Sequence, residues 1–387
     1  MASLRTANRL SFTEDGDSSM GIGGLTAVAT VVIVGSLGAL LWIAPAAYGY
    51  LLMEDSPVEW LDFYCLVAAA AAFIAGARRR WRRPRVGVAV GVGLALFCLF
   101  VAGEEISWGQ RIFRFRPLDF FQYRNIQGEV TVHNLDVGWI QPRMVAIAFM
   151  IGYGVLLPLA GRRTAGRVGI PVPPIGALPA FCIAAWLFTN PITQTDDEVG
   201  ELVFAAAMLG SGLQAWNTRA GGRVMAQLLP MLLLLAVLTS WASYQSFEER
   251  DHARFVGPMQ AGQAYEGIGK LRQAAVEYEK LARYWGSDWE LWVKVVTLYR
   301  DARCHQKAYD LAAELILIHR REPRIWAALI DMADSLGIRD DAMARIREQY
   351  EALMREETRT HHDEKDRAFL ERLVGDLGRS RDGEDRH

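Results

Sequence analysis

Seven apolar windows in the first 243 residues constrain this chain more than any other feature. They are Gly21 to Pro45, Pro57 to Ala77, Val86 to Ala102, Met144 to Ala160, Ile175 to Asn190, Glu198 to Trp216 and Met225 to Trp241. A hydrocarbon core about 30 Å thick takes about 20 residues of helix to cross, and within lipid only helices and closed barrels satisfy every backbone amide and carbonyl. Pro171, Pro173, Pro174 and Pro179 crowd the start of the fifth window, a place where helices tolerate proline. After residue 243 the chain turns charged and takes up a different period. The expected fold class is therefore all-α: a polytopic helical membrane domain of about seven transmembrane helices over residues 21–243, then an α-solenoid of tetratricopeptide-like helix pairs. Residues 1–20 are polar, and the first apolar window is too long for a signal-peptide core, so it is expected to stay as an anchor.

Arginine placement sets the expected orientation, because basic residues flanking membrane helices stay in the cytoplasm. The loop after the second window holds Arg78, Arg79, Arg80, Arg82, Arg83 and Arg85; the loops after the fourth and sixth hold Arg162, Arg163, Arg167, Arg219 and Arg223. The loops from Ala46 to Ser56 and from Thr189 to Val199 hold no Lys or Arg. A contrary set, Arg111, Arg114, Arg116, Arg124 and Arg143, is outweighed. The N-terminus is expected in the cytoplasm and the C-terminal domain on the outer side of the membrane. The net charge of −2 averages a basic and an acidic face and offers nothing to nucleic acid. Cys65, Cys98, Cys182 and Cys304 are scattered, with neither a disulfide framework nor zinc-finger spacing.

This topology gathers Glu54, Asp55, Glu59, Glu104, Glu105, Glu129, His133, Asp136, Asp196, Asp197, Glu198 and Glu201 at one membrane face. Some have an ordinary explanation. Ser56-Pro57-Val58-Glu59 reads as a helix start, and Thr195-Asp196-Asp197-Glu198 opens the sixth window the same way, so capping and the helix macrodipole account for Glu59 and Glu198. Glu201 lies deeper than a cap requires. Glu104 and Glu105 lie at a helix C-terminus, where the macrodipole disfavours negative charge. A bound divalent cation, Arg111, or protonation of one member would each offset that penalty. Adjacent helical residues point about 100° apart, so one of the pair faces a shared site and the other the loop. His133, in a glycine-containing loop among carboxylates, suits a metal shell or a general base. Arginines and aromatic rings alternate from Arg111 to Arg124, a composition that suits the membrane interface or a lipid phosphate.

The C-terminal half repeats at 34 residues: Tyr265 with Tyr299, Ala274 with Ala308 and Ala342, and Trp292 with Trp326. That is the tetratricopeptide period, and Gly262, Ala264, Tyr265, Gly269, Ala274 and Tyr278 fit its pattern. About three repeats are expected over residues 255–355, after a charged linker at 244–254. The charged stretch 356–387, with the apolar cluster Phe369-Leu370 and Leu373-Val374, is expected to add a capping helix before a disordered tail.

Gly-Glu-Glu-Ile-Ser-Trp-Gly-Gln-Arg at 103–111, with Asn125-Ile126-Gln127-Gly128-Glu129 and His133-Asn134-Leu135, resembles a family of uncharacterised bacterial multi-pass membrane proteins. The C-terminal half separately resembles tetratricopeptide repeats, which implies a protein or peptide partner. The acidic residues after the first window and the extracytoplasmic repeats are loosely similar to polyprenol-dependent membrane glycosyltransferases. Seven-segment hydrolases of the ceramidase type are a further comparison, but they use several histidines where this membrane half offers only His133. The expected function is a membrane enzyme with an outward-facing carboxylate and histidine site, acting on a lipid or lipid-linked polyprenyl or glycan substrate by metal-assisted hydrolysis or group transfer. Its expected catalytic groups are Glu104, Glu105, His133 and Glu201. The candidate ligands of a divalent metal ion are Glu105, His133, Glu201, Glu54 and Asp55, and the substrate contacts Arg111, Arg124, Gln127, Asn134 and Trp108. The alternative is a non-catalytic anchor presenting the repeats to an envelope protein.

Overall fold

The computed structural model describes residues 21–352 except 54, 80–84, 114–120, 122–129, 132–140, 217–220, 245–246, 286–288, 319–322, 339, 341–342 and 349–351. Every regular element among the described residues is helical. Six helices are long and apolar enough to cross a membrane: α1 (Ile22–Ile43), α3 (Pro57–Arg79), α4 (Arg85–Glu105), α5 (Pro142–Gly161), α7 (Asp196–Trp216) and α8 (Gly221–Tyr244, its apolar span counted from Arg223). By length and composition this is a multi-pass membrane protein. Short α2 (Pro45–Leu51) follows α1. The fifth expected window forms only the apolar helix Ile175–Leu187, whose main part is α6 (Leu178–Leu187). Pro171, Pro173 and Pro174 hold the chain before it out of helix, so it is too short to span by itself.

α7 is the centre of the membrane unit: 83% of its apolar window is buried, against 56% or less for every other span. It packs on α3 through small residues. A Cβ on Gly212 would sit 2.8 Å from the Ala69 carbonyl oxygen, and one on Gly76 would sit 2.7 Å from that of Ala215. Such close backbone approach is how helices associate where lipid removes any hydrophobic advantage of burying larger side chains. α3 in turn packs on α4. The same helix directions place the entrances of α3 and α7 and the exit of α4 at one end of the bundle, with Arg78, Arg79 and Arg85 at the other.

Beyond the membrane unit, α9 (Phe247–Gly267), α10 (Leu271–Trp285), α11 (Trp289–Asp301), α12 (His305–Ile318) and α13 (Pro323–Leu336) pack consecutively. Residues 247–254, expected as a linker, form the first turns of α9. The 34-residue period reaches the backbone. Gly269, Arg303 and Gly337 all take left-handed φ, 74°, 57° and 70°, and each closes a helix end. At each, the next amide reaches back to the carbonyl of Tyr265, Tyr299 or Ala333, satisfying groups a helix end would otherwise orphan. The paired positions Ala274 and Ala308, and Trp292 and Trp326, are buried in one core. Glu279 accepts hydrogen bonds from Tyr299 Oη of the next helix at 2.7 Å and from the Arg283 guanidinium of its own helix at 2.7 Å. Partial burial pushes that carboxyl up, but these bonds and the Lys307 charge outweigh it and hold it below its ordinary value. Cys304 lies half-buried in the turn between α11 and α12.

α9 also belongs to the membrane unit. It lies along α2, where a Cβ on Gly49 would meet the Ala261 amide nitrogen at 2.5 Å, and the Tyr50 ring lies over Gly257. Ala264 is buried in the same cluster as Tyr48 and Leu202.

Candidate metal centre

Three membrane helices each deliver one carboxylate to a common point. Asp62 comes from the second turn of α3, Glu105 from the last residue of α4 and Glu201 from the second turn of α7; one oxygen of each lies within 4.8 Å of the others. Asp62 is 1% exposed, and both its carboxylate oxygens are buried with no hydrogen-bond partner. Buried polar atoms are ordinarily paired, and a buried carboxylate without a partner costs several kcal/mol. Like charges this close raise the cost further. A cation or protons must therefore accompany the trio.

The geometry suits a cation. Two oxygens on opposite sides of one ion are separated by twice the ligand distance, about 4.2 Å for magnesium and about 5 Å for calcium. An all-oxygen set selects hard ions such as magnesium, calcium or manganese. Three protein ligands leave further coordination positions open for water or a substrate oxygen.

Local structure explains why these residues point here. At the α3 entrance the Ser56 hydroxyl accepts from the Val58 amide at 3.2 Å and the Glu59 amide at 3.4 Å, while the Glu59 carboxylate accepts the Asp55 amide. Glu59 thus serves the helix start, and Asp62 lies nearly one turn further in. At the α7 entrance the Asn190 side chain accepts the Asp197 amide at 2.9 Å. Asp196 is absorbed by its own loop, accepting from the amides of Ile192 at 2.6 Å and Thr193 at 2.9 Å and from the Thr193 hydroxyl at 2.6 Å. Burial, then the Asp196 charge, pushes the Tyr48 phenol up to about 12. Arg143, at the start of α5, donates to Asp197 at 2.6 Å.

Glu104 and Glu105 part company as adjacent helical residues must. Glu105 enters the trio, whereas Glu104 Oε1 accepts from Trp108 Nε1 at 2.7 Å. Ser107, Trp108 and Gly109 take left-handed φ of 47°, 53° and 77°, folding the chain back on α4. The Trp108 ring then covers Gly103, where a Cβ would sit 2.9 Å from it, and meets Phe100 edge-on. Gly103, Glu104, Trp108 and Gly109 are therefore one folded unit that ends α4 on Glu105. The indole named above as a substrate contact spends its N–H and one face on this turn, with 45% of the residue exposed.

Of the remaining expected ligands, the structure does not bring Asp55 into the trio; its amide serves Glu59 and its carbonyl accepts from Ser240 at 2.8 Å. Glu54, Arg124, Gln127, His133 and Asn134, and the Arg111 side chain, lie outside the described residues. Asp62 is the residue that sequence reasoning missed. The signal was there: a carboxylate five residues inside an apolar window, nearly one turn past the Glu59 that serves the helix start, the same anomaly that drew attention to Glu104 and Glu105. No family model, curated protein or solved structure matches the chain.

Proposed function

We propose that this protein is a membrane enzyme whose Asp62, Glu105 and Glu201 hold a hard divalent cation and use it on a lipid or lipid-linked substrate, by hydrolysis or group transfer. The observation that carries this reading is Asp62, a buried carboxylate with both oxygens unpartnered, facing two more carboxylates. A cation there would polarise a phosphoryl or carbonyl oxygen of a substrate entering from the lipid. Replacing Asp62 by Asn, or Glu105 by Gln, is expected to change the cellular profile of lipid-linked intermediates or envelope glycans. Unchanged profiles with folded protein in the membrane would defeat the reading.

The carboxylate end faces outward in this proposal, because the arginine-rich end stays in the cytoplasm. Helices α9 to α13 then form an extracytoplasmic, tetratricopeptide-like unit that binds a protein or peptide; the 34-residue recurrence of core residues and left-handed turns supports this. Cys304 is the one cysteine outside the apolar helices and tests the orientation. In intact cells a membrane-impermeant maleimide should label it after mild unfolding of the exposed unit. Labelling only after the inner membrane is broken would reverse the orientation.

The close seating of α9 on α2 favours a second reading, an anchor that presents the repeat unit to an envelope protein. In that case partner binding persists when the trio is neutralised.

A further inference from the structure

A second site opens at the arginine end of the bundle, on the lipid-facing side of α3. It is a trough of about 570 Å³ along α3, walled by Leu99 of α4 and closed by Trp216 at the end of α7. Its floor is Val67, Ala71, Ile74 and Ala75, positions spaced to fall on one helical stripe, and the small alanines give it depth. From Val67 to Arg78 the floor runs about 16 Å at 1.5 Å per residue. That is close to half of a hydrocarbon core about 30 Å thick, the depth of one leaflet.

The two arginines at its mouth are used differently. Arg79 donates to the Trp216 carbonyl at 3.1 Å and lies 5.4 Å from that ring's centroid, so it pins α7 to α3. Arg78 is exposed, and among the described residues it has no carboxylate partner. A guanidinium at headgroup depth, above an apolar trough one leaflet deep, is complementary to a lipid phosphate with its acyl chain below. We infer that the trough holds one acyl chain of an anionic glycerophospholipid whose phosphate rests on Arg78. The site is separate from the carboxylate trio, at the opposite end of the bundle, and does not depend on that centre being catalytic.

The test is native mass spectrometry of the full chain, delipidated in detergent and offered phosphatidylglycerol or phosphatidylcholine with the same acyl chains. The native protein should retain phosphatidylglycerol about five-fold better, as one interfacial arginine predicts. Arg78→Gln should erase the preference while leaving phosphatidylcholine binding intact. Ala71→Leu, at an exposed position where the added bulk fills the trough and leaves the core untouched, should weaken both lipids. Equal retention by the native protein, a preference that survives Arg78→Gln, or unchanged binding in Ala71→Leu would each overturn the inference. So would displacement of the lipid by inorganic phosphate alone, which would make this a simple anion site.

Discussion

Asp62→Asn should cost the protein its divalent cation. Native protein titrated with Mn²⁺ or Mg²⁺ is expected to bind one ion per chain and to melt at a higher temperature with it. At a hundred times the dissociation constant that gain is about 2.7 kcal/mol. Asparagine keeps the shape of the side chain and removes its charge, leaving two carboxylates to hold the ion. Breaking a buried charge pair costs roughly 3–5 kcal/mol, which corresponds to about a hundred-fold or greater loss of affinity. Without metal the sign reverses. Three carboxylate oxygens within 4.8 Å repel one another, so the metal-free variant should be at least as stable as the metal-free native protein. Glu105→Gln and Glu201→Gln should behave alike, whereas Glu104→Gln, whose carboxylate serves Trp108, should bind metal nearly as the native protein does. Metal-dependent stabilisation of equal size in native protein and Asp62→Asn would remove the metal centre from consideration.

Gly49→Ala should loosen the seat of α9 on α2. Its Cβ would lie 2.5 Å from the Ala261 amide nitrogen and 2.7 Å from the Ala261 Cα. Both are backbone atoms, so no rotamer change relieves the clash and the two helices must separate. Overpacking of this kind costs about 1–3 kcal/mol and sometimes more; a contact between backbones belongs at the top of that range. The expected result is partial undocking of α9 from α2, read as rapid protease cleavage ahead of residue 255 and an earlier thermal transition. Ala47→Leu, on an exposed position of the same short helix, is the control and should leave both unchanged. If Gly49→Ala resists protease as the native protein does, α2 is not the seat of α9.

Much of this could be read from residue order, for physical reasons that differ by element. The long spans were legible because lipid imposes a minimum length, and the α3 entrance because Ser56, Pro57 and Glu59 each do a fixed local job. The separation of Glu104 from Glu105 followed from helix geometry alone. The fold-back at Ser107 and Trp108 was not legible, because left-handed φ at non-glycine residues has no composition of its own and only Gly109 hints at it. The fifth window was counted as a span, but Pro171, Pro173 and Pro174 at its start keep the chain out of helix until Ile175, which leaves a helix too short to cross. Asp62 was passed over although it lies five residues inside an apolar window. Its partners come from α4 and α7, and no local pattern announces that three distant helices converge. The docking of α9 on Gly49 was hidden for the same reason.

The way α9 is shared between the two halves also limits how this protein could be lengthened. Stacked helical repeats need something to cover each end of the stack, usually a terminal repeat with a polar outer face. Here the membrane unit, through α2, covers the α9 end of the helix stack, with the Gly49 backbone against that of Gln260 and Ala261. Duplication of a repeat next to α9 would have to reproduce that fit, while duplication after α13 would meet no such condition. Helices added after α13 would leave the contact of α9 with α2, and so the position of α9 relative to the trio, unchanged.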